Sequence, residues 1–177
     1  MTIVQLSARL DRDGILHAVI GAVALAVHGV LRASDDVDLL VMDRRCLEAA
    51  TWSDVENSGV GVEIRRGDSD DPLAGVTRLL PATGARIDIV VGRSAWQQTL
   101  LSRAPRVPLM GGHVPVALPV DLVLLKLYAG GPQDAWDIQQ ILDAVPDLAL
   151  EVEPAITVLP KECAALWRQI VGTRPAS

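Results

Sequence analysis

Phenylalanine is absent from the 177 residues, and four Trp with one Tyr make up the whole aromatic complement. So few rings leave no evident platform of the kind on which single-stranded nucleic acid stacks its bases. The core has to be filled by Leu, Val, Ile and Ala, with Trp52, Trp96, Trp136 and Trp167 as isolated large groups. Positive charge is also short: 16 Lys and Arg stand against 22 Asp and Glu, a formal net charge of -6. That excludes a global attraction to nucleic acid or to an anionic membrane and leaves only local basic patches. Two cysteines, Cys46 and Cys163, lack metal-ligand spacing and read as free buried thiols of a reducing compartment. No long hydrophobic run is present. The stretch from Ala18 to Val27 is too short to span a bilayer, and MTIVQLSARLDRDG lacks the apolar stretch of a secretory signal. The expectation is a soluble cytoplasmic protein with no membrane partner.

What is there folds. Half of the residues are hydrophobic, which supports one well-buried core and a small helical appendage. SARLDRDGIL reads as a helix with Ser7 as its cap, HAVIG (17–21) as a short strand, and AVALAVHG as a helix stopped by Gly29. Strands follow at DVDLLVM (36–42), GVGVEIRRG (59–67), VTRLL (76–80) and RIDIVVG (86–92), with a helix at DRRCLEAATW capped by Asp43. SAWQQTLLSRA reads as a helix capped by Ser94, VPLMGGHVPVAL as a hairpin around Gly111 and Gly112, and PVDLVLLKLYA, PQDAWDIQQILDAV and KECAALWRQIV as the last helices. The fold class is therefore α+β: a mixed sheet of about five strands flanked by helices, with a helical C-terminal third. Residues 1–118 form the core and 119–177 a helical region expected to pack on it as a single compact unit.

Two carboxylates interrupt the strand at 36–42. Asp36 and Asp38 lie two residues apart, so on a strand they share a face about 6.5–7 Å apart at the backbone. Such a pair either faces water or shares a hard cation, because unpaired buried charge is prohibitive. Asp88 repeats the anomaly inside RIDIVVG, and if the two strands are neighbours three carboxylates converge. That set suits in-line phosphoryl transfer around Mg²⁺ or Mn²⁺, with Asp88, from the separate strand, as the base. Pairing of Asp88 with Arg86 or Arg93 is the competing reading. Gly21, between a strand and a helix, allows backbone N–H groups to approach phosphate. Arg65 and Arg66 read either as an acceptor-binding basic strip or as a solvated strand end.

VIGAVALAVHGVLRASDDVDLLV, with RIDIVVG downstream and DLVLLKLYAGGPQDAWDI beyond it, resembles the nucleotidyltransferase superfamily related to DNA polymerase β. Within it, the chain looks most like the small bacterial AbiEii-like group, which includes toxins of toxin–antitoxin systems. The resemblance runs from Ile20 to Asp137. It implies Asp36, Asp38 and Asp88 as metal-binding and catalytic acids. It implies a nucleotide-binding set of Gly21, Ala22, Arg32, Ser34, Lys126, Asp134 and Asp137. Ala22 stands where Gly or Ser is usual, and GGPQD lacks the basic residues common before the later acids. The activity implied is Mg²⁺-dependent transfer of a nucleoside monophosphate from an NTP to a hydroxyl of a tRNA, a protein or a small molecule, with an antitoxin as partner if the chain is a toxin. The two departures motivate an alternative, a nucleotide-binding or protein-interaction module that kept the fold and lost turnover. A phosphohydrolase or nuclease using the same acids with water is a third reading.

Overall fold

The computed structural model describes residues 1–172. The chain divides into two compact units, one of Met1–Ala24 with Arg32–Ala117 and one of Leu25–Leu31 with Leu118 onwards. The first unit opens with α1 (Ile3–Arg12), β1 (His17–Ile20) and α2 (Gly21–Val27), the last of which crosses the division after Ala24. It continues through β2 (Asp36–Val41), α3 (Ala49–Asn57), β3 (Gly61–Arg66), β4 (Gly75–Leu80) and β5 (Arg86–Val91). Helix α4 (Ala95–Arg103) and the strands β6 (Arg106–Leu109) and β7 (Gly112–Pro115) complete it. The main sheet has the order β1-β2-β5-β4-β3, with β2 and β5 parallel and the other neighbours antiparallel. This is the mixed five-stranded sheet expected from the strand patterns.

Alternation decides which face of that sheet is core. Val37, Leu39 and Val41 of β2, Ile87, Ile89 and Val91 of β5 and Thr77 and Leu79 of β4 are buried. Their alternates include Asp36, Asp38, Arg78 and Arg86, which are only partly covered. Helix α3 lies against β3, and its Trp52 is fully buried, donating its indole N–H to Cys46 O at 2.9 Å. Burial pushes the Cys46 thiol up to about 12, so it behaves as an apolar side chain.

Three local expectations change. Helix α1 begins earlier than its Ser7 reading: Thr2 is the cap, its hydroxyl accepting from Gln5 N while Gln5 Oε1 accepts from Thr2 N. Ser7 is instead buried in the helix, its Oγ 2.7 Å from Nε2 of His17. Asp43 caps a short 3₁₀ turn, Arg44–Leu47, and α3 starts only after it. The β6–β7 turn falls on Met110 and Gly111, both with positive φ, as a two-residue hairpin requires.

The second unit holds α5 (Pro119–Ala129), α6 (Pro132–Ala144), α7 (Leu148–Ala155) and α8 (Lys161–Gly172). Gly130, at φ 70°, ends α5 in the left-handed conformation, and Pro132 starts α6 at its first turn. Helix α7 escapes the sequence reading because Pro154 near its end looks like a breaker. No described helix is long and apolar enough to cross a membrane.

Candidate functional site

The register of the sheet collects the acids. On the partly covered face, Asp38 of β2 stands opposite Asp88 of β5, Asp88 opposite Arg78 of β4, and Arg78 opposite Glu63 of β3. One row across four strands therefore reads acid, acid, base, acid. Asp36 stands opposite Arg86 in the adjacent row. Asp36, Asp38 and Asp88 do share a face, as the i, i+2 spacing and the two apolar strands imply.

They do not stand alone there. Asp88, 9 % exposed, is gripped bidentately by Arg78, with Nε and a terminal nitrogen each 2.8 Å from its two oxygens. This fork geometry is the strong form of the pair, and it holds the Arg78 guanidinium well above its ordinary value. Arg86 reaches Asp36 Oδ2 at 2.5 Å, and its own protonation is strengthened by that hydrogen bond. The competing reading of Asp88 named Arg86 or Arg93 as partner. The partner is Arg78, because antiparallel pairing of β4 brings it directly opposite. Arg93 instead donates to the carbonyls of Gly67, Asp68 and Ser69.

Gly21 has φ 63° at the end of β1, and a Cβ added there would collide with the Asp38 carboxylate. Only glycine lets the backbone pass so close to that acid. Ala22, the departure from the family pattern, is 2 % exposed, so its methyl is an interior group and does not project into solvent. Ser34 shares its hydroxyl with the backbone of Asp36 at 3.3 Å, a turn that leads into β2. Arg32 lies in the same lead-in and is partly covered.

A divalent cation fits part of this set. Oδ1 of Asp36 is buried with no hydrogen-bond partner, and Asp38 projects from the same face two residues on. A hard cation with oxygen ligands would satisfy that oxygen. Asp88 differs from its expected role as third ligand, since both of its oxygens accept from Arg78. Among the described residues no three His, Cys, Asp or Glu side chains form a group able to hold a metal ion.

Lys126, Asp134 and Asp137 come together inside the second unit. Lys126 Nζ donates to Asp137 Oδ2 at 2.5 Å and to Asp134 Oδ1 at 3.1 Å. Asp134 also accepts from Gly131 N at the start of α6, and Asp137 from Gln133. Asp137 is fully buried and the Lys126 side chain only 11 % exposed. Spacing along α5 and α6 explains the meeting, in which one cation stands between two carboxylates and the Gly131 N–H and Gln133 amide supply the remaining donors.

No protein-family profile matches the chain, and no curated protein sequence matches it either. Solved structures do. An antigenic nucleotidyltransferase-like protein from Paracoccidioides brasiliensis superposes with a TM-score of 0.57 over 98 % of this chain and 87 % of its own, at 20 % identity. The chain has the nucleotidyltransferase fold. The lincosamide antibiotic adenylyltransferase LnuA, solved with lincomycin bound, is similar over 80 % of this chain and 94 % of its own, with a TM-score of 0.51 and 11 % identity. Within this nucleotidyltransferase fold, Arg78 and Arg86 are the site residues that sequence reasoning placed least well. Each is an arginine on a strand's polar alternate, a signal that becomes specific only once the pairing of β2, β5 and β4 is known.

Proposed function

We propose that the chain is a divalent-metal-dependent nucleotidyltransferase that moves a nucleoside monophosphate from an NTP to a hydroxyl acceptor. The observation that carries this is the juxtaposition of Asp36, Asp38 and Asp88 on one sheet face, with Asp36 Oδ1 unpartnered and the Gly21 backbone against Asp38. Asp36 and Asp38 would hold the cation, Mg²⁺ or Mn²⁺. When bound, it neutralises phosphate oxygens and makes the acceptor hydroxyl more acidic. The triphosphate would lie beside the Gly21 turn, whose backbone packs against Asp38, and Arg32 and Ser34 border the same strand entry. The acceptor oxygen bonds to the α-phosphorus, the bond to the β-phosphate oxygen breaks, and pyrophosphate leaves. Asp88 takes the acceptor proton in a state where Arg78 has turned from it, since both of its oxygens otherwise accept from that guanidinium. Lys126, Asp134 and Asp137 serve the architecture of the helical unit.

The chemistry is assigned to residues 1–118 and its setting to an AbiEii-like toxin of the bacterial cytoplasm. In that setting, expression without a cognate antitoxin slows growth. The test is transfer from each NTP labelled at the α-phosphate, in Mg²⁺, to tRNA, protein and small polyols. Label on an acceptor with stoichiometric pyrophosphate, lost in Asp38→Asn, is the expected result.

The arginine pairs on Asp36 and Asp88 favour a second reading, in which the fold binds nucleotide without turnover. NTP binding without pyrophosphate release would establish it. Pyrophosphate or phosphate released with no acceptor present would point to hydrolysis.

A further inference from the structure

A strand at the edge of a sheet presents unpaired N–H and C=O groups, and folded chains cover or blunt such edges. This chain does so at one end of its main sheet. Beyond β1 runs the segment after β7, where Val116 bridges Val19 and Ala117 N donates to Val19 O at 3.0 Å. In the two-stranded sheet, Pro108 of β6 and Pro115 of β7 interrupt the row of donors. β3, at the other end of the main sheet, has no Pro and, among the described residues, no strand beyond it.

Its six residues pair with β4 without a break from Gly61 to Arg66. Gly67 N donates to Ala74 O, and a Cβ on Gly75 would strike Arg65 O, so the odd-numbered residues turn their backbone groups to β4. The backbone groups of Val62, Ile64 and Arg66 point away from it, and no hydrogen bond among the described residues takes them up. Glu63, Arg65 and Arg66 are exposed, and Val62 and Ile64 are half-buried.

The order of these side chains decides what fits. A second copy of β3, set antiparallel about a two-fold axis at Ile64, brings Ile64 against Ile64, Glu63 against Arg65 and Arg65 against Glu63. The outward backbone groups of Val62, Ile64 and Arg66 then meet those of Arg66, Ile64 and Val62, so the ladder and the charges call for one register. Alternation keeps Glu63 and Arg65 on a single face, where opposite charges across a strand pair are favourable. Moving the axis to Val62 sets Glu63 against Gly61, and moving it to Arg66 sets the two Arg66 side chains against each other. Within its own chain Arg65 meets no carboxylate among the described residues. Arg66, on the other face of the strand, is held by Leu47 O at 2.8 Å.

We infer that β3 is a dimerisation edge, on which a second copy of this chain pairs antiparallel about Ile64 and joins two five-stranded sheets into one. The inference stands on the sheet edge and holds whichever chemistry the acids perform. The two-fold axis uses up both β3 edges, so association stops at two copies. Glu63 and Arg65 also line a cavity of about 300 Å³ that Asp88 borders, and the second copy adds its own Arg65 to the rim beside Glu63.

Sedimentation velocity of the full chain over about two decades of concentration reads the dimer. Wild type is expected to pass from one copy to two. Arg65→Glu places like charges together twice per dimer and is expected to weaken association roughly tenfold or more. Glu63→Arg does the same with the opposite sign. An equimolar mixture of the two variants restores opposite charges at both positions and is expected to dimerise as wild type does. Far-UV circular dichroism checks that each variant folds. If Glu63→Arg, opposite Arg78, does not, Arg65→Glu, opposite Val76, carries the test with amide exchange. Exchange followed by NMR is expected to slow at Val62, Ile64 and Arg66 as the dimer forms. A wild type that stays monomeric, a dimer unmoved in Arg65→Glu, loss without recovery in the mixture of folded variants, unchanged exchange at those three amides, or growth beyond two copies overturns the inference.

Discussion

Two clusters of mixed charge, one in each unit, look alike in sequence and differ in how completely the hydrogen bonds of their carboxylates are satisfied. In the helical unit Lys126 lies between Asp134 and Asp137, with Asp137 wholly buried and the capping N–H of Gly131 closing the set. On the sheet, Asp36 and Asp88 have arginine partners, but Asp36 keeps a buried oxygen without a donor and Asp88 borders a cavity. A saturated cluster holds structure together; an unsaturated one next to open space can take a ligand. The teaching is that opposite charges at contact distance do not distinguish the two cases. The leftover valence does.

The largest effect expected from that contrast is on the closed cluster. Lys126→Met leaves the buried carboxylate of Asp137 without its cation, and is expected to destabilise the protein by about 3–5 kcal/mol, read by urea unfolding. A loss below about 1 kcal/mol would show that the triad is not a structural unit. Next comes Arg78→Ala, which strips both hydrogen bonds from Asp88, 9 % exposed. A loss of about 1–3 kcal/mol is expected, together with tighter binding of Mn²⁺ as one more carboxylate becomes available, measured by electron paramagnetic resonance. Unchanged Mn²⁺ affinity would separate Asp88 from the cation site.

Gly21→Ala tests the close approach of backbone to Asp38. Its positive φ and the collision with the carboxylate together are expected to cost about 1–3 kcal/mol. A neutral result in thermal unfolding would show that Asp38 can turn aside at no cost. The smallest effect lies outside both clusters, at His17. Burial lowers its pKa, and Nδ1 faces Ile15 O while Nε2 faces Ser7 Oγ. The unfolded state then takes up the proton first as pH falls. Stability is full above about pH 6.5 and declines below it, by up to about 1.4 kcal/mol per pH unit. The slope between pH 6.5 and 5 is expected to flatten in His17→Gln, by unfolding at each pH; an equal slope would assign the acid sensitivity to other groups.

Much of the sheet was legible in advance, because β2, β4 and β5 each keep apolar residues on one alternation and put a charge on the other. The convergence of Asp36, Asp38 and Asp88 followed once β2 and β5 were assumed to be neighbours. What could not be read was register. Arg78 finds Asp88 only because β4 runs antiparallel to β5 with those residues opposite, a contact set by long-range pairing. The grouping of Leu25–Leu31 with the C-terminal helices is non-local in the same way. Local misses have local causes: Thr2 outcompetes Ser7 as a cap because Gln5 can answer it, and Pro154 hides the end of α7.

The central claim is that Asp36 and Asp38 form a cation-dependent nucleotide site. Thermal unfolding of the wild type and of Asp36→Asn/Asp38→Asn, each with Mg²⁺ alone and with Mg²⁺ plus each of the four NTPs, tests it most directly. The expected result is a rise in midpoint for the wild type with at least one NTP, absent from a double variant that still folds cooperatively. An equal rise in both proteins, or no rise in either, would contradict it.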